Sequence, residues 1–229
     1  MEKLFDIYNI KTDAEKTEKL KKFASILKEY NEVMNLTAVT GEKEMWIKHF
    51  LDSALGERYF LKNANCCEIG SGGGFPSIPL RILREDLSFT LIEATGKKCD
   101  YLNYAIKELK LKNMKVICGR AEDLAHDADL RETFDAVTAR AVARMNTLCE
   151  YCMPFVKIGG SFISYKGDDL SEINEAENAV KTLGGKIESV NSFTLPENSG
   201  SRNIVIVRKT GVTPLKYPRG NGKERKKPL

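Results

Sequence analysis

Two rhythms of apolar residues divide the chain. Up to about residue 62 they follow the period of amphipathic helices. Leu20, Phe23, Ala24, Leu27 and Met34 form one stripe, and Trp46, Ile47, Phe50, Leu51, Ala54 and Leu55 a second. Thr12-Asp-Ala-Glu15 reads as a capping box opening the first helix, and residues 35–41 interrupt the pattern. Both stripes need a partner surface and are expected to dock on the rest of the protein. From Asn65 onward, short apolar runs at 66–69, 88–93, 114–118, 136–139 and 161–165 alternate with helical stretches. That alternation predicts βαβ units and a mostly parallel sheet. Two further runs, 187–193 and 203–208, are joined by a link too short for a crossover helix, so an antiparallel hairpin should close the sheet. The expected fold is α/β, a doubly wound seven-stranded sheet over 63–211, with a helical extension at 1–62 before it.

Composition narrows the classes of protein that fit this pattern. The chain has 229 residues, 42% hydrophobic and 30% charged, an ordinary balance for a soluble globular protein. It contains no run of about 18 apolar residues, and its start lacks the basic and apolar regions of a secretory signal, so a cytoplasmic location is expected, with no membrane partner. Six cysteines suit a reducing compartment. Cys149-Glu-Tyr-Cys152 has no second pair or nearby His to complete a metal site, so the thiols are expected to be structural and no metal is called for.

The net charge of +4 changes the picture only once it is located. Lys216, Arg219, Lys223, Arg225, Lys226 and Lys227 face a single acid, Glu224, in the last stretch, which leaves the remainder of the chain slightly negative. Pro214, Pro218, Gly220 and Gly222 in the same segment disfavour regular structure. A basic, flexible tail over 212–229 suits a polyphosphate partner.

The most informative motif is Glu68-Ile-Gly70-Ser-Gly72-Gly-Gly74-Phe75-Pro76, which follows the first predicted strand and opens a helix. A dinucleotide fingerprint would place its third glycine where Phe75 stands. An acid two residues before a GxGxG turn instead suits S-adenosylmethionine (SAM), whose amino group Glu68 could help to hold through water, whereas a pyrophosphate would be repelled. Glu93 ends the second strand, 19 residues after Gly74, where nucleotide-binding sheets place an acid for ribose hydroxyls. Ala121 and Glu122 follow the third strand and could offer backbone and carboxylate to an adenine edge.

The segment after the fourth strand, Val137-Thr-Ala-Arg140-Ala-Val-Ala-Arg144, should face the transferred methyl group. It holds neither an Asn/Asp-Pro-Pro-Tyr/Phe motif for exocyclic amines nor a cysteine to attack a pyrimidine. An acceptor with a free lone pair, such as guanine N7, needs neither, because catalysis then reduces to positioning. Lys97, Lys98, Arg120, Arg140, Lys166 and Arg202 all fall at predicted strand ends or in the loops after them, as phosphate-binding residues would. His49, on the polar side of the second helix, reads as a surface imidazole.

Together, Asn35-Leu-Thr, Lys48-His49-Phe-x-Asp52-Ser53, the Gly70 to Pro76 turn, Arg120-Ala-Glu, Thr138-Ala-Arg-Ala-Val-Ala-Arg144, Lys166-Gly and Ser201-Arg-Asn-Ile-Val resemble the ribosomal RNA small subunit methyltransferase G family. These are bacterial 16S rRNA guanine-N7 methyltransferases, also called the glucose-inhibited division protein B family. The resemblance implies a class I SAM-dependent methyltransferase fold and a target guanine in the 530 loop of 16S rRNA, on naked RNA, a precursor particle or the small subunit. It implies SAM contacts at Gly70, Phe75, Glu93, Ala94, Thr95, Ala121, Glu122 and Arg140, beside Gly72, Gly74 and Glu68 of the turn. Arg140 and Lys166 would serve the transfer itself, and Lys97, Arg120 and Arg202 the RNA. A monomer is expected, with no DNA partner. Two competing readings remain at this point: a SAM-dependent methyltransferase for another RNA, a protein or a small molecule, and a non-catalytic nucleotide- or RNA-binding module that kept the fold.

Overall fold

The computed structural model describes residues 2–229. Strands β1 (Asn65–Ile69), β2 (Ser88–Glu93), β3 (Met114–Cys118), β4 (Phe134–Arg140), β5 (Val156–Lys166), β6 (Gly185–Thr194) and β7 (Ser201–Lys209) form one sheet in the order β3-β2-β1-β4-β5-β7-β6. The first five pair in parallel; β7 runs antiparallel to both β5 and β6. All seven predicted strands are present. β5 begins five residues earlier than its apolar run, because its first residues pair across a bulge near Asp135, where Gly160 passes so close that a Cβ would lie 2.7 Å from the Asp135 carbonyl.

Helices α1 (Glu2–Ile7), α2 (Ala14–Met34), α3 (Glu42–Met45), α4 (Asp52–Ala54), α5 (Ser77–Leu83), α6 (Gly96–Glu108), α7 (Ala121–Leu124), α8 (Met145–Cys152), α9 (Ser171–Glu175), α10 (Glu177–Thr182) and α11 (Lys223–Lys226) cover the sheet and its ends. Alternate strand residues serve two cores, as the pleat requires. Cys66, Phe89, Leu91, Ile163 and Ile204 point to the face that receives α2, α5 and α6, while Cys67, Ile92, Val137, Phe162 and Val205 face α8 and α10. The N-terminal stripes therefore close the first core: Leu20, Phe23, Leu27, Trp46, Phe50 and Leu51 are all buried against it.

Two local expectations are corrected. The N-cap of α2 is Asp13, not Thr12; its carboxylate accepts the Lys16 N–H (2.8 Å), and its extended backbone lets the helix begin one residue later than a Thr12 cap would. The second stripe is not one α-helix. Between α3 and α4 the chain widens into a π-helical turn, Trp46–Leu51.

The basic tail lies against the α8 face. Its irregular backbone has no ladder to satisfy its carbonyls, so side chains do it. Arg131 donates to the carbonyls of Tyr217 (3.0 Å) and Thr213 (2.8 Å), and Thr147 to that of Glu224 (2.9 Å). Arg219 forks onto the fully buried Glu150 carboxylate (2.7 Å). Tyr217 and Glu224 are buried. All six cysteines are free, and all but Cys118 are buried, where desolvation holds thiols such as Cys149 at about 12, unreactive at neutral pH. Among the described residues no His, Cys, Asp and Glu cluster could hold a metal, and no helix is long and apolar enough to cross a membrane.

Candidate active site

Strand order reverses between β1 and β4, so the crevice at their carboxyl ends is the switch point where open α/β sheets take ligands. Two cavities of different construction open there, one reaching Ala141 and the other Val142.

The first is made of main chain and carboxylates. Gly70 and Gly74 have positive φ and tight surroundings: a Cβ on Gly70 would stand 2.7 Å from Val142 Cγ2, and one on Gly74 2.6 Å from Ile78 Cδ1. Gly72 is also left-handed but open, its nearest neighbour being the Gly70 carbonyl at 3.8 Å. Glu93 locks this turn from below, accepting the Gly72 N–H through Oε2 (2.9 Å) and the Thr95 N–H through Oε1 (2.9 Å). Each oxygen keeps a lone pair beyond these bonds. Glu68 is fully buried; Ser77 Oγ donates to its Oε2, and Oε1 has no partner. Desolvation lifts its carboxyl to about 7, against the opposing Ser77 hydrogen bond and the positive charge of Arg140. A cavity of about 130 Å³ opens beside the turn, lined by Gly70, Ala94, Ala121, Glu122, Val142 and others. The residues fit SAM on chemical grounds: an unpartnered buried carboxylate for an amino group, a strand-end acid for ribose hydroxyls, and a small cavity at Ala121 and Glu122 for a purine.

The second cavity, about 440 Å³, is made of side chains and is cationic. Arg140 ends β4 and sits 5.1 Å above the Phe75 ring. Its Nη1 donates to Asp52 Oδ2 (2.8 Å) and to the Lys48 carbonyl (3.1 Å), and its Nη2 to His49 Nδ1 (3.0 Å). The π-turn makes the Lys48 carbonyl available. In an α-helix the Asp52 N–H would take it, but here that N–H bonds Ile47 and His49 and leaves Lys48 free. Arg202 from β7 reaches the other Asp52 oxygen (3.5 Å). Lys166, at the end of β5, pairs with Glu172 (2.8 Å) and donates to the Ala143 carbonyl (2.9 Å).

His49 is not a surface imidazole. It stacks on Phe75 (centroids 4.6 Å apart) and bonds Thr37 Oγ1 through Nε2 (2.6 Å). Nδ1 also lies 3.1 Å from the Lys48 carbonyl, so both ring nitrogens are engaged within the protein. Burial, and then the charge of Arg140, drive its pKa down to about 3, so the ring is neutral.

The predicted residues thus divide. Gly70, Ala94, Ala121 and Glu122 line the smaller cavity, with Gly72, Gly74, Glu93 and Thr95 framing its turn, while Arg140, Lys166 and Arg202 line the larger. Phe75 lines neither cavity and is buried under His49 and Arg140. Arg120 is exposed, pairing with Glu122 at 3.6 Å on the rim. Lys97 is exposed in the first turn of α6 and lines neither cavity. The structure adds Asp52, Lys48, Tyr165 and Glu172 to the larger cavity, and Tyr151 and Arg225 to the smaller. Lys48, His49 and Asp52 share one helical segment of sequence, the signal by which part of this group could have been found.

A family model described as rRNA small subunit methyltransferase G matches residues 16–205. The Ribosomal RNA small subunit methyltransferase G of Brevibacillus brevis is 47% identical over 221 residues, covering 95% of this chain and 92% of that protein. Its counterpart in Clostridium perfringens is 40% identical and covers 100% and 97%. Among solved structures, M. jannaschii TYW2 in complex with AdoMet superposes with a TM-score of 0.56 at 16% identity, over 74% of this chain and 77% of that one. The YcgJ protein of Bacillus superposes at 0.54 and 13% identity, over 71% and 100%. At those identities the structures speak for the fold alone.

Proposed function

The chain belongs to the rRNA small subunit methyltransferase G family, and from that premise we propose that it transfers a methyl group from SAM to N7 of a guanine in the 530 loop of bacterial 16S rRNA, in the cytoplasm. The observation that carries the choice of acceptor is the state of the titratable groups in the cationic cavity. Every one of them is already engaged: His49 is neutral with Nδ1 taken by Arg140, Asp52 is shared by two guanidiniums, and Glu172 holds Lys166 and the Met145 N–H. None is placed to remove a proton from a substrate amine. N7 of guanine attacks with a free lone pair and has no proton to lose, so it needs orientation instead.

SAM supplies an electrophilic methyl group on a sulfonium; as N7 bonds to that carbon the carbon–sulfur bond breaks, leaving S-adenosylhomocysteine. The chain's own residues do the rest. Glu68, Gly70, Gly72, Gly74, Glu93, Ala94, Thr95, Ala121 and Glu122 hold the cofactor. Phe75 and His49 form a rigid stack on which Arg140 is set, and that stack fixes the direction from which a base enters. Arg140 has hydrogens left on Nε and Nη2, and Lys166 one on Nζ, after their bonds within the protein. These remaining donors suit guanine O6 or a neighbouring phosphate. Methylation at N7 leaves a positive charge on the purine. A cavity whose cations are paired with Asp52 and Glu172 opposes that charge little, where bare guanidiniums would oppose it strongly. Arg120, Arg202 and Lys97 would meet the RNA backbone at the rim.

The test is mass spectrometry of 16S rRNA nucleosides from cells with and without the gene. Loss of 7-methylguanosine from the 530-loop fragment, restored by purified protein and SAM, is the expected result. Persistence of that methyl group in the deleted strain would move the target elsewhere.

A further inference from the structure

The basic tail, which the sequence suggested for RNA, delivers one of its arginines to the cofactor cavity instead. The cavity beside the glycine turn is closed on one side by Gly70, Ile69, Ile92 and Ala94, and on another by Ala121 and Glu122. Val142 lines it as well, and its outer wall includes Tyr151 from α8 and Arg225 from α11. A wider opening of about 520 Å³ continues outward between α7, α8 and the tail, and the two spaces share Arg120, Glu122, Tyr151 and Arg225.

The position of Arg225 follows from an anchored backbone. Upstream, Arg219 is locked to the fully buried Glu150, and its own backbone N–H donates to the same carboxylate (2.8 Å). Within α11, Glu224 is fully buried and its Oε1 accepts the Gly220 N–H, while its carbonyl accepts from Thr147. Burial of Glu224 turns the next side chain outward along the wall, and Arg225 Nε meets the Tyr151 hydroxyl at 3.4 Å. Placing a guanidinium here to bind RNA would not require two buried carboxylates; placing it at a fixed site on a cavity wall would.

We infer that Arg225, set by Tyr151, is a cofactor-binding residue that holds the adenine end of SAM. Its donors complement the ring-nitrogen acceptors of an adenine, as the Glu122 carboxylate complements the exocyclic amine. A guanidinium on the outer wall also covers a purine face that would otherwise meet solvent. Lys223 and Lys226 of the same short helix line neither space, so the tail presents two faces, one to the cofactor and one to solvent.

The inference rests on the proposed use of SAM, and one set of measurements separates the two. SAM affinity is read by calorimetry on the full chain, together with KM for SAM and for RNA. Arg225→Ala should weaken SAM about tenfold and raise KM for SAM by a similar factor, with KM for RNA and the melting temperature near wild type. Arg225→Lys should recover part of the loss, and Lys226→Ala should cause none. Unchanged SAM affinity in Arg225→Ala, beside a wild type that binds SAM, would overturn the inference, as would a raised KM for RNA alone. Equal losses from Arg225→Ala and Lys226→Ala would also overturn it, by making the effect one of tail charge. A wild-type chain that fails to bind SAM would instead defeat the underlying reading of the site.

Discussion

The two cavities at the carboxyl end of the sheet are assembled by opposite means. On the β1–β2–β3 side the binding surface is backbone, shaped by glycines at positive φ and fixed by carboxylates, Glu93 at the turn and Glu68 beneath it. On the β4–β5–β7 side it is a side-chain network in which Arg140, Arg202 and Lys166 are set by Asp52, Glu172, His49 and the Lys48 carbonyl. The first kind of site is local in the chain, since a single turn and the acid after the next strand specify it. The second draws on residues 88 to 92 positions apart, brought together only by folding. On the proposed reading, a cofactor used by many enzymes is held by the local device, while the acceptor meets the composite.

The largest effect should come from breaking the backbone site alone. Gly72→Asp puts a side chain at a left-handed position into the space kept open for ligand, and puts a carboxylate beside Glu93 Oε2. SAM affinity should fall by about a hundredfold or more, roughly 3 kcal/mol, measured by calorimetry. Gly72→Ala is the sharper control. Its Cβ meets only a carbonyl at 3.8 Å, so it should cost about 1 kcal/mol of backbone strain and leave binding detectable. If the two variants bound SAM equally well, the turn would not be the cofactor site.

The composite side should break through Asp52. Asp52→Ala leaves two guanidiniums facing each other in a half-buried cavity, and about 2 kcal/mol of stability should be lost in urea unfolding. Both guanidiniums reach solvent, which keeps the loss below that of a fully buried pair. With Arg140 no longer fixed, kcat should fall at least tenfold while SAM affinity changes little. A variant that lost SAM affinity and kept kcat would reverse the assignment of the two cavities.

The same contrast explains what could be read from the chain. All seven strands and their parallel-then-antiparallel order were legible, because short apolar runs and link lengths are local signals. The glycine turn was legible for the same reason. His49 was misread because helical periodicity placed it on a polar face, and polar was taken for exposed. The π-turn at Trp46–Leu51 rotates that segment, and Phe75, far along the chain, covers the ring. The tail's composition argued against regular structure and was right about most of it, yet it could not show that Glu150 and Glu224 would be buried to hold it down. Asp52 and Glu172 were ordinary helix acids until their arginine and lysine partners arrived from other strands.

A smaller effect, readable by pH, tests whether Glu68 belongs to the cofactor side. Its pKa is raised from the ordinary carboxyl range to about 7, so the folded protein holds a proton that the unfolded chain has lost. The group's contribution to stability is therefore full below about 4.5 and declines as pH rises toward 7. Glu68→Gln should remove that decline and be the more stable of the two proteins above pH 7. Ligand binding should run the other way. Affinity for SAM should rise between pH 6 and 8 as the carboxylate forms and pairs with the amino group, and the Gln variant should show no such rise, binding about tenfold more weakly at pH 8. Parallel pH profiles in the two proteins would remove Glu68 from the cofactor site.

The smallest effect concerns charge that belongs to neither cavity. Lys216, Lys223, Lys226 and Lys227 are exposed, and no salt bridge among the described residues holds them, whereas Arg219 is committed to Glu150 and Arg225 lines the smaller cavity. Any share of RNA binding carried by the tail must come from these free lysines, since committed cations have no counterions left to release. Replacing all four with Ser should leave SAM affinity unchanged at every salt concentration. The slope of log affinity for RNA against log salt should flatten by about 0.7 for each single-strand phosphate that a lysine no longer neutralises. A change of about one to two in that slope, the effect of two or three phosphates, would set the solvent face of the tail on the acceptor's side of the molecule, opposite in function to the face that bears Arg225. An unchanged slope would confine the tail's work to the cofactor wall.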